Sequence, residues 1–103
     1  MGYRPVVAQS FADDLSEIIG FYQRVGMSHG IAKLQKDLTE AQELLCQMPY
    51  INASLPVNTG GSVEYRRHLV GRYAMVYRVQ GDSVVFLHLY HQSQNYEKYI
   101  FEK

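Results

Sequence analysis

Residues 71–91 read GRYAMVYRVQGDSVVFLHLYH. Two runs rich in β-branched and aromatic side chains, Tyr73–Gln80 and Ser83–His91, are separated by Gly81-Asp82, and Gly71-Arg72 stands in the same relation to the run Glu64–Val70 before them. A two-residue gap with glycine first supplies the positive φ that a type II′ hairpin turn needs. The pattern predicts a tight antiparallel meander of three strands.

Upstream, PYINASLPVNTGGSV (49–63) holds two prolines, two glycines and two asparagines and reads as a loop. Before it, Ile31, Leu34, Leu38, Ala41, Leu45 and Met48 recur in steps of three and four, the stripe of an amphipathic helix closed by Pro49. Ser28 is placed to cap its start. Phe11, Leu15, Ile18, Ile19, Tyr22 and Val25 make an earlier stripe, stopped at Gly26. Ser10 stands three residues before Asp13, the spacing of a capping box, and Asp13, Asp14 and Glu17 complement the dipole. The short link around Gly26–His29 predicts antiparallel helices. YRPVVA (3–8) reads as a short strand, and Pro5, with no N–H to donate, puts it at an edge. The final residues 92–103 are open to a last short strand, a helical turn or a tail. The fold class is α+β: a β-α-α-β-β-β two-layer sandwich, its helical hairpin on one face of a mainly antiparallel sheet.

Composition narrows the class further. The chain has 103 residues, enough for one domain spanning 1–103 with a real core. Apolar residues are 47% and charged ones 19%, which argues against disorder. The lone Cys46 excludes an intrachain disulfide framework and a cysteine-based zinc cluster and reads as an inert buried thiol. No secretory signal and no run of about 18 apolar residues is visible, so a cytoplasmic protein without a membrane partner is expected.

Ten basic and ten acidic residues cancel, but the meander is locally cationic: Arg66, Arg67, Arg72 and Arg78 with His68, His88 and His91 against Asp82. Alternation puts Val85, Leu87 and Leu89 of the last strand, and Met75, Tyr77 and Val79 of the middle one, against the helices. Phe86, His88, Tyr90, Ala74, Val76 and Arg78 then face away, joined by Arg66 and His68. That open arginine and histidine face would attract an acidic partner. Its alternative is a solvated surface whose arginines pair with nearby carboxylates. The histidines have no carboxylate at ligand spacing, so no metal and no cofactor are expected.

Taken together, SFADDLSEIIGFY (10–22), LLCQMP (44–49) and GRYAMVYRVQGDSVVFLHLYHQSQNY (71–96) resemble the RelE/ParE superfamily of bacterial type II toxins, over nearly the whole chain. The resemblance implies a toxin of a plasmid-stabilising pair, silenced by a cognate antitoxin. It implies one of two activities: messenger RNA cleavage at the ribosome in the RelE-like branch, or inhibition of DNA gyrase in the ParE-like branch. RelE-like toxins supply lysines before the meander, an arginine in the G-x-Y-R-x-x-Y strand, and arginine plus tyrosine after the last strand. Here 49–63 has no lysine or arginine, Ala74 stands at the arginine position with Arg72 nearby, and Tyr96 alone matches. The ending HQSQN (91–95) is similar to the ParE-like branch, for which no catalytic residue can be carried over.

The first expectation is therefore a gyrase-binding toxin. Arg66, Arg67, Arg72, Arg78, His88, His91 and Tyr96 are its candidates for binding antitoxin or target. Tyr96, Tyr99 and Phe101 would either form an aromatic edge or pack the tail onto the domain. A second expectation is a ribonuclease using His88, His91 and Tyr96, with Arg66 or Arg78 on the phosphate. A third is a non-toxic interaction module of the same fold. A homodimer or a toxin–antitoxin hetero-oligomer fits the free edge at Pro5.

Overall fold

A computed structural model describes residues 2–55 and 63–93. The elements follow the expected order: β1 (Arg4–Val7), α1 (Gln9–Arg24), α2 (His29–Gln47), β2 (Arg66–Val70), β3 (Tyr73–Gln80) and β4 (Ser83–His91). They build one sheet in the order β1-β4-β3-β2, with β1 parallel to β4 and the other pairs antiparallel. Gly71 and Gly81 turn the hairpins at φ of +58° and +60°, and no other residue type has positive φ among the described residues. That is the φ pattern of a type II′ turn, since type I′ would need it at Arg72 and Asp82 as well.

Both helices cover one face. α1 lies along β4, while α2 reaches β1, β2 and β4. Phe11 from α1 and Leu34, Leu38, Ala41, Leu45 and Cys46 from α2 close over Met75, Tyr77, Val84, Phe86 and Leu89. Burial raises the Cys46 thiol pKa, which keeps it protonated and unreactive. α1 ends in a Schellman motif: Met27 N–H donates to Tyr22 O at 2.8 Å and Gly26 N–H to Gln23 O at 3.3 Å. Val25 and Met48, the last members of the two stripes, lie past their helix ends and are exposed.

The helix starts differ from expectation. α1 begins at Gln9 with Ala8 as N-cap and no side-chain cap, and Ser28 caps α2 without a side-chain bond. Ser10 does not form the capping box, because its hydroxyl donates across to Leu87 O at 2.5 Å. β1 stops pairing with β4 at Phe86, so β4 beyond it has an open edge. The first turns of α1 cover that edge, and a strand carbonyl outcompetes the helix for the hydroxyl.

β1 is an edge strand, as Pro5 indicated. Arg4 N–H donates to Asp82 O and Ala8 N–H to Phe86 O, so the even residues bond inward. Pro5 falls at an outward position, where its missing N–H costs nothing, and Tyr3 N–H is taken by Cys46 O at 2.7 Å. The edge thus offers few donors to another strand.

The sheet faces required the largest correction. The β3–β4 register runs Val76↔His88 and then Tyr77↔Phe86, which leaves Leu87 as a bulge. The extra residue reverses parity along β4. Val84 and Phe86 therefore face the helices together with Leu89, whereas Val85 and Leu87 do not join the core. On β2, Arg66 stands opposite Tyr77 and His68 opposite Met75, so both lie on the helix side, and Arg67 lies on the far side opposite Val76. The far face is not open throughout, because Ala74, Val76 and Tyr90 are buried in a second small cluster with Tyr65 against it.

The bulge is testable by stability. Phe86→Ala should cost about 3–5 kcal/mol in urea unfolding, the usual penalty for emptying a core aromatic site. Leu87→Ala should cost less than half as much. An uninterrupted strand would give the reverse ranking.

Candidate functional site

The polar residues of the cationic strands collect in two places. The first lies where the chain leaves α2. Tyr77 is fully buried, and its hydroxyl donates to Pro49 O at 2.8 Å. Asn52 Nδ2 donates to the same hydroxyl at 3.1 Å and to His68 Nδ1 at 3.0 Å. Arg66 Nη1 donates to Asn52 O, and its guanidinium lies 4.9 Å from the centre of the Tyr50 ring. Arg66 Nη2 pairs with Glu64 Oε1 at 3.2 Å, and Ser54 Oγ donates to that carboxylate. A bridge between Ser54 and Arg66, with Leu55 N–H donating to Tyr65 O, continues the sheet for one step.

The network explains how a guanidinium stands on the helix side. Arg66 has a carbonyl, a carboxylate and a ring face as partners, so its burial is compensated. Desolvation lowers the His68 pKa and raises that of Tyr77. His68 is thereby held neutral, and its Nδ1 serves as an acceptor for Asn52.

The second cluster closes the open edge of β4. Asp14 Oδ2 accepts Leu89 N–H at 3.0 Å and His88 Nδ1–H at 3.0 Å. Both side chains are largely shielded, at 18% and 24% exposure, which strengthens the pair relative to a solvated one. Nearby, the Tyr73 hydroxyl donates to Tyr22 at 3.2 Å, and burial together with that bond pushes the Tyr73 pKa up to about 12. His91 sets its ring edge-on to Tyr73 at 5.6 Å, and its Nδ1 lies 2.9 Å from Ser93 Oγ.

The remaining candidates are dispersed. Arg67 is on the far face and Arg72 in the β2–β3 turn. Arg78 Nη2 donates to Gln80 Oε1 at 2.8 Å. Arg66 and Arg78 line one cleft. His88 and His91 are not brought together, since the bulge precedes His88 and leaves their opposite parity in place. Tyr96, Tyr99 and Phe101 lie outside the described residues. Among the described residues no group of three His, Cys, Asp or Glu could hold a metal ion, and no helix is long and apolar enough to cross a membrane.

Sequence reasoning missed Asp14, Asn52, Tyr50 and Glu64. For Asp14 a signal existed. Ser10 and Asp14 are one helical turn apart, beside the apolar stripe, where polar side chains meet a neighbouring strand. Nothing local marked the other three.

This architecture is shared with chains in solved toxin–antitoxin structures. The chain aligns with a structure of the chromosomal ParDE toxin–antitoxin system from P. aeruginosa at a TM-score of 0.69 and 20% identity, covering 86% of this chain and 95% of the other. It aligns with the RelBE2 toxin–antitoxin complex from Mycobacterium tuberculosis at a TM-score of 0.58 and 18% identity, covering 91% and 95%. These alignments show that the chain shares its fold with both. No curated protein matches the chain in sequence. The family model for the ParE toxin of the type II toxin–antitoxin system parDE matches residues 6–96, and the chain belongs to that family.

Two measurements test the clusters. Asp14→Ala should lower unfolding free energy by about 2 kcal/mol, because it orphans a strand amide and a histidine donor. The His68 effect has a definite sign. Its folded pKa lies below the unfolded value near 6.5, so the unfolded chain takes up the proton first. Stability should be full above pH 6.5 and fall on acidification below it. His68→Gln should flatten that slope in urea titrations run from pH 7.5 to 5.5.

Proposed function

We propose that this chain is a ParE-like toxin that arrests bacterial growth by binding DNA gyrase, and that an antitoxin encoded beside it neutralises it. The observation that carries the reading is Ala74. It occupies the strand position where RelE-like toxins are described as carrying an arginine. Here it is fully buried between neighbours Val76 and Tyr90 on the far face. An arginine side chain has no room at that point without opening the cluster.

The dispersion of the other groups supports the same reading. Arg66 is tied into the Asn52 network, Arg67 faces away, Arg72 sits in a turn, and His88 is held by Asp14. Cutting RNA needs a base, an acid and phosphate-binding cations at one place. A balanced net charge also suits a protein target better than a bed of ribosomal phosphates. The antitoxin partner is supported by the relatives, which were solved as toxin–antitoxin systems.

One contact favours the ribonuclease as a second reading. Asp14 fixes the orientation of the His88 ring, as a carboxylate does for a histidine base.

Expression without antitoxin should arrest growth, and purified protein should block supercoiling by gyrase while leaving messenger RNA intact on translating ribosomes. The His88→Ala, His91→Ala double variant should remain toxic. Cleaved message that disappears in the double variant would establish the second reading, and normal growth would leave a non-toxic interaction module.

A further inference from the structure

A hydrogen-bond chain runs from the end of α2 to the edge strand β2, and it can point in only one direction. Pro49 is buried, and its carbonyl can only accept. The single proton of the Tyr77 hydroxyl is therefore committed to that carbonyl, at 2.8 Å. This leaves the Tyr77 oxygen as an acceptor, so the Asn52 amide nitrogen faces it at 3.1 Å. The second hydrogen of that nitrogen is aimed at His68 Nδ1, 3.0 Å away. Nδ1 must then be bare, and neutral His68 carries its proton on Nε2. One backbone carbonyl thus sets the tautomer of a histidine three links away. Among the described residues, the side chains of Tyr77, Asn52 and His68 make no other hydrogen bond, so no spare acceptor is at hand. The chain of bonds holds the segment leaving α2, which displays Tyr50 and Ile51 at 60% and 50% exposure.

We infer that these bonds form a proton-operated latch: protonation of His68 reverses their direction, releases the Pro49 carbonyl and frees the segment after α2. A proton on Nδ1 confronts the Asn52 nitrogen, donor against donor at 3.0 Å. Half a turn of the amide brings Oδ1 into the place of Nδ2 and relieves the conflict. Oδ1 then accepts from His68, but it also faces the Tyr77 oxygen and needs a proton between them. Tyr77 has one proton to give, so its hydroxyl swings from Pro49 to Asn52. The carbonyl is left in a buried place without its donor, a condition that proteins avoid. The turn in which Ile51 N–H donates to Met48 O then depends on Arg66, bonded at Asn52 O and stacked on Tyr50. The surroundings of His68 set the direction of the response. On its own strand Arg66 shares its face and is matched by Glu64. From β3 come Met75 opposite it and Tyr77, and from α2 only apolar side chains and the Cys46 thiol are buried. Desolvation is the sole cause that shifts the His68 pKa, downward, so no neighbouring carboxylate holds a charge on the ring. The latch is therefore shut at neutral pH and opens only below the ordinary histidine value of 6.5. This device is independent of which target the toxin binds.

The test is a pH titration of the isotope-labelled chain by NMR. At neutral pH the His68 ring should carry its proton on Nε2. On acidification the Pro49 carbonyl and the Asn52 side-chain amide should shift with the same midpoint as the His68 ring. The Ile51 amide should exchange faster, relative to its intrinsic rate, through that midpoint. Tyr77→Phe keeps the ring and removes the proton that moves, so His68 should still titrate while the Pro49 carbonyl no longer follows. Asn52→Asp supplies acceptors only. It should raise the His68 midpoint by about one unit and hold the Pro49 carbonyl in its acid-state position already at neutral pH. A neutral His68 protonated on Nδ1 would mean that the bonds run the other way, and the inference would fall. A Pro49 carbonyl that stays fixed while His68 titrates in wild type would show the amide turning away alone, without a latch. A carbonyl that follows His68 with unchanged Ile51 exchange would leave a relay that releases nothing, and would also overturn it. These three outcomes are read on the wild-type chain, so they decide the matter even if Tyr77→Phe does not fold.

Discussion

β4 carries one more residue than β3 can pair, and the rest of the sheet is arranged around that fact. The bulge at Leu87 turns Phe86 toward the helices and releases the following residues from the first half's parity. It lies just where β1 ends, so that β4 loses its parallel neighbour and its register in the same place. A strand edge with unpaired amides is unstable in a monomer and invites association. α1 resolves this with side chains in place of backbone, Ser10 for the Leu87 carbonyl and Asp14 for the Leu89 amide. The helix acts as the continuation of β1 and is anchored to the sheet by bonds as well as by Phe11. Moving α1 would uncover both the core and the edge.

Much of this could be read from residues and spacing. Two glycine-first gaps placed the hairpins, two apolar stripes placed the helices, and Pro5 placed the edge. The bulge was illegible for a physical reason. From Val84 to Leu87 every side chain is apolar, so either parity buries hydrophobic groups and polarity does not choose between them. His88, the first polar residue, comes after the slip. Arg66 and His68 were misplaced for a different reason. Charge alone favours solvent, but their partners Asn52 and Tyr50 lie more than a dozen residues upstream, and their pairing is a tertiary fact. Where propensity and long-range hydrogen bonding disagree, the bonds decide.

The same distinction underlies the proposed reading of a binding protein over a catalyst. Counted along the sequence, four arginines and three histidines in the meander suggest a dense cationic surface. In space they are divided between the helix side, the far side, a turn and a clasp on α1. A catalyst needs convergence within a few ångströms, whereas a binding protein needs only complementarity spread over an area. The local geometry meets the second condition more readily than the first.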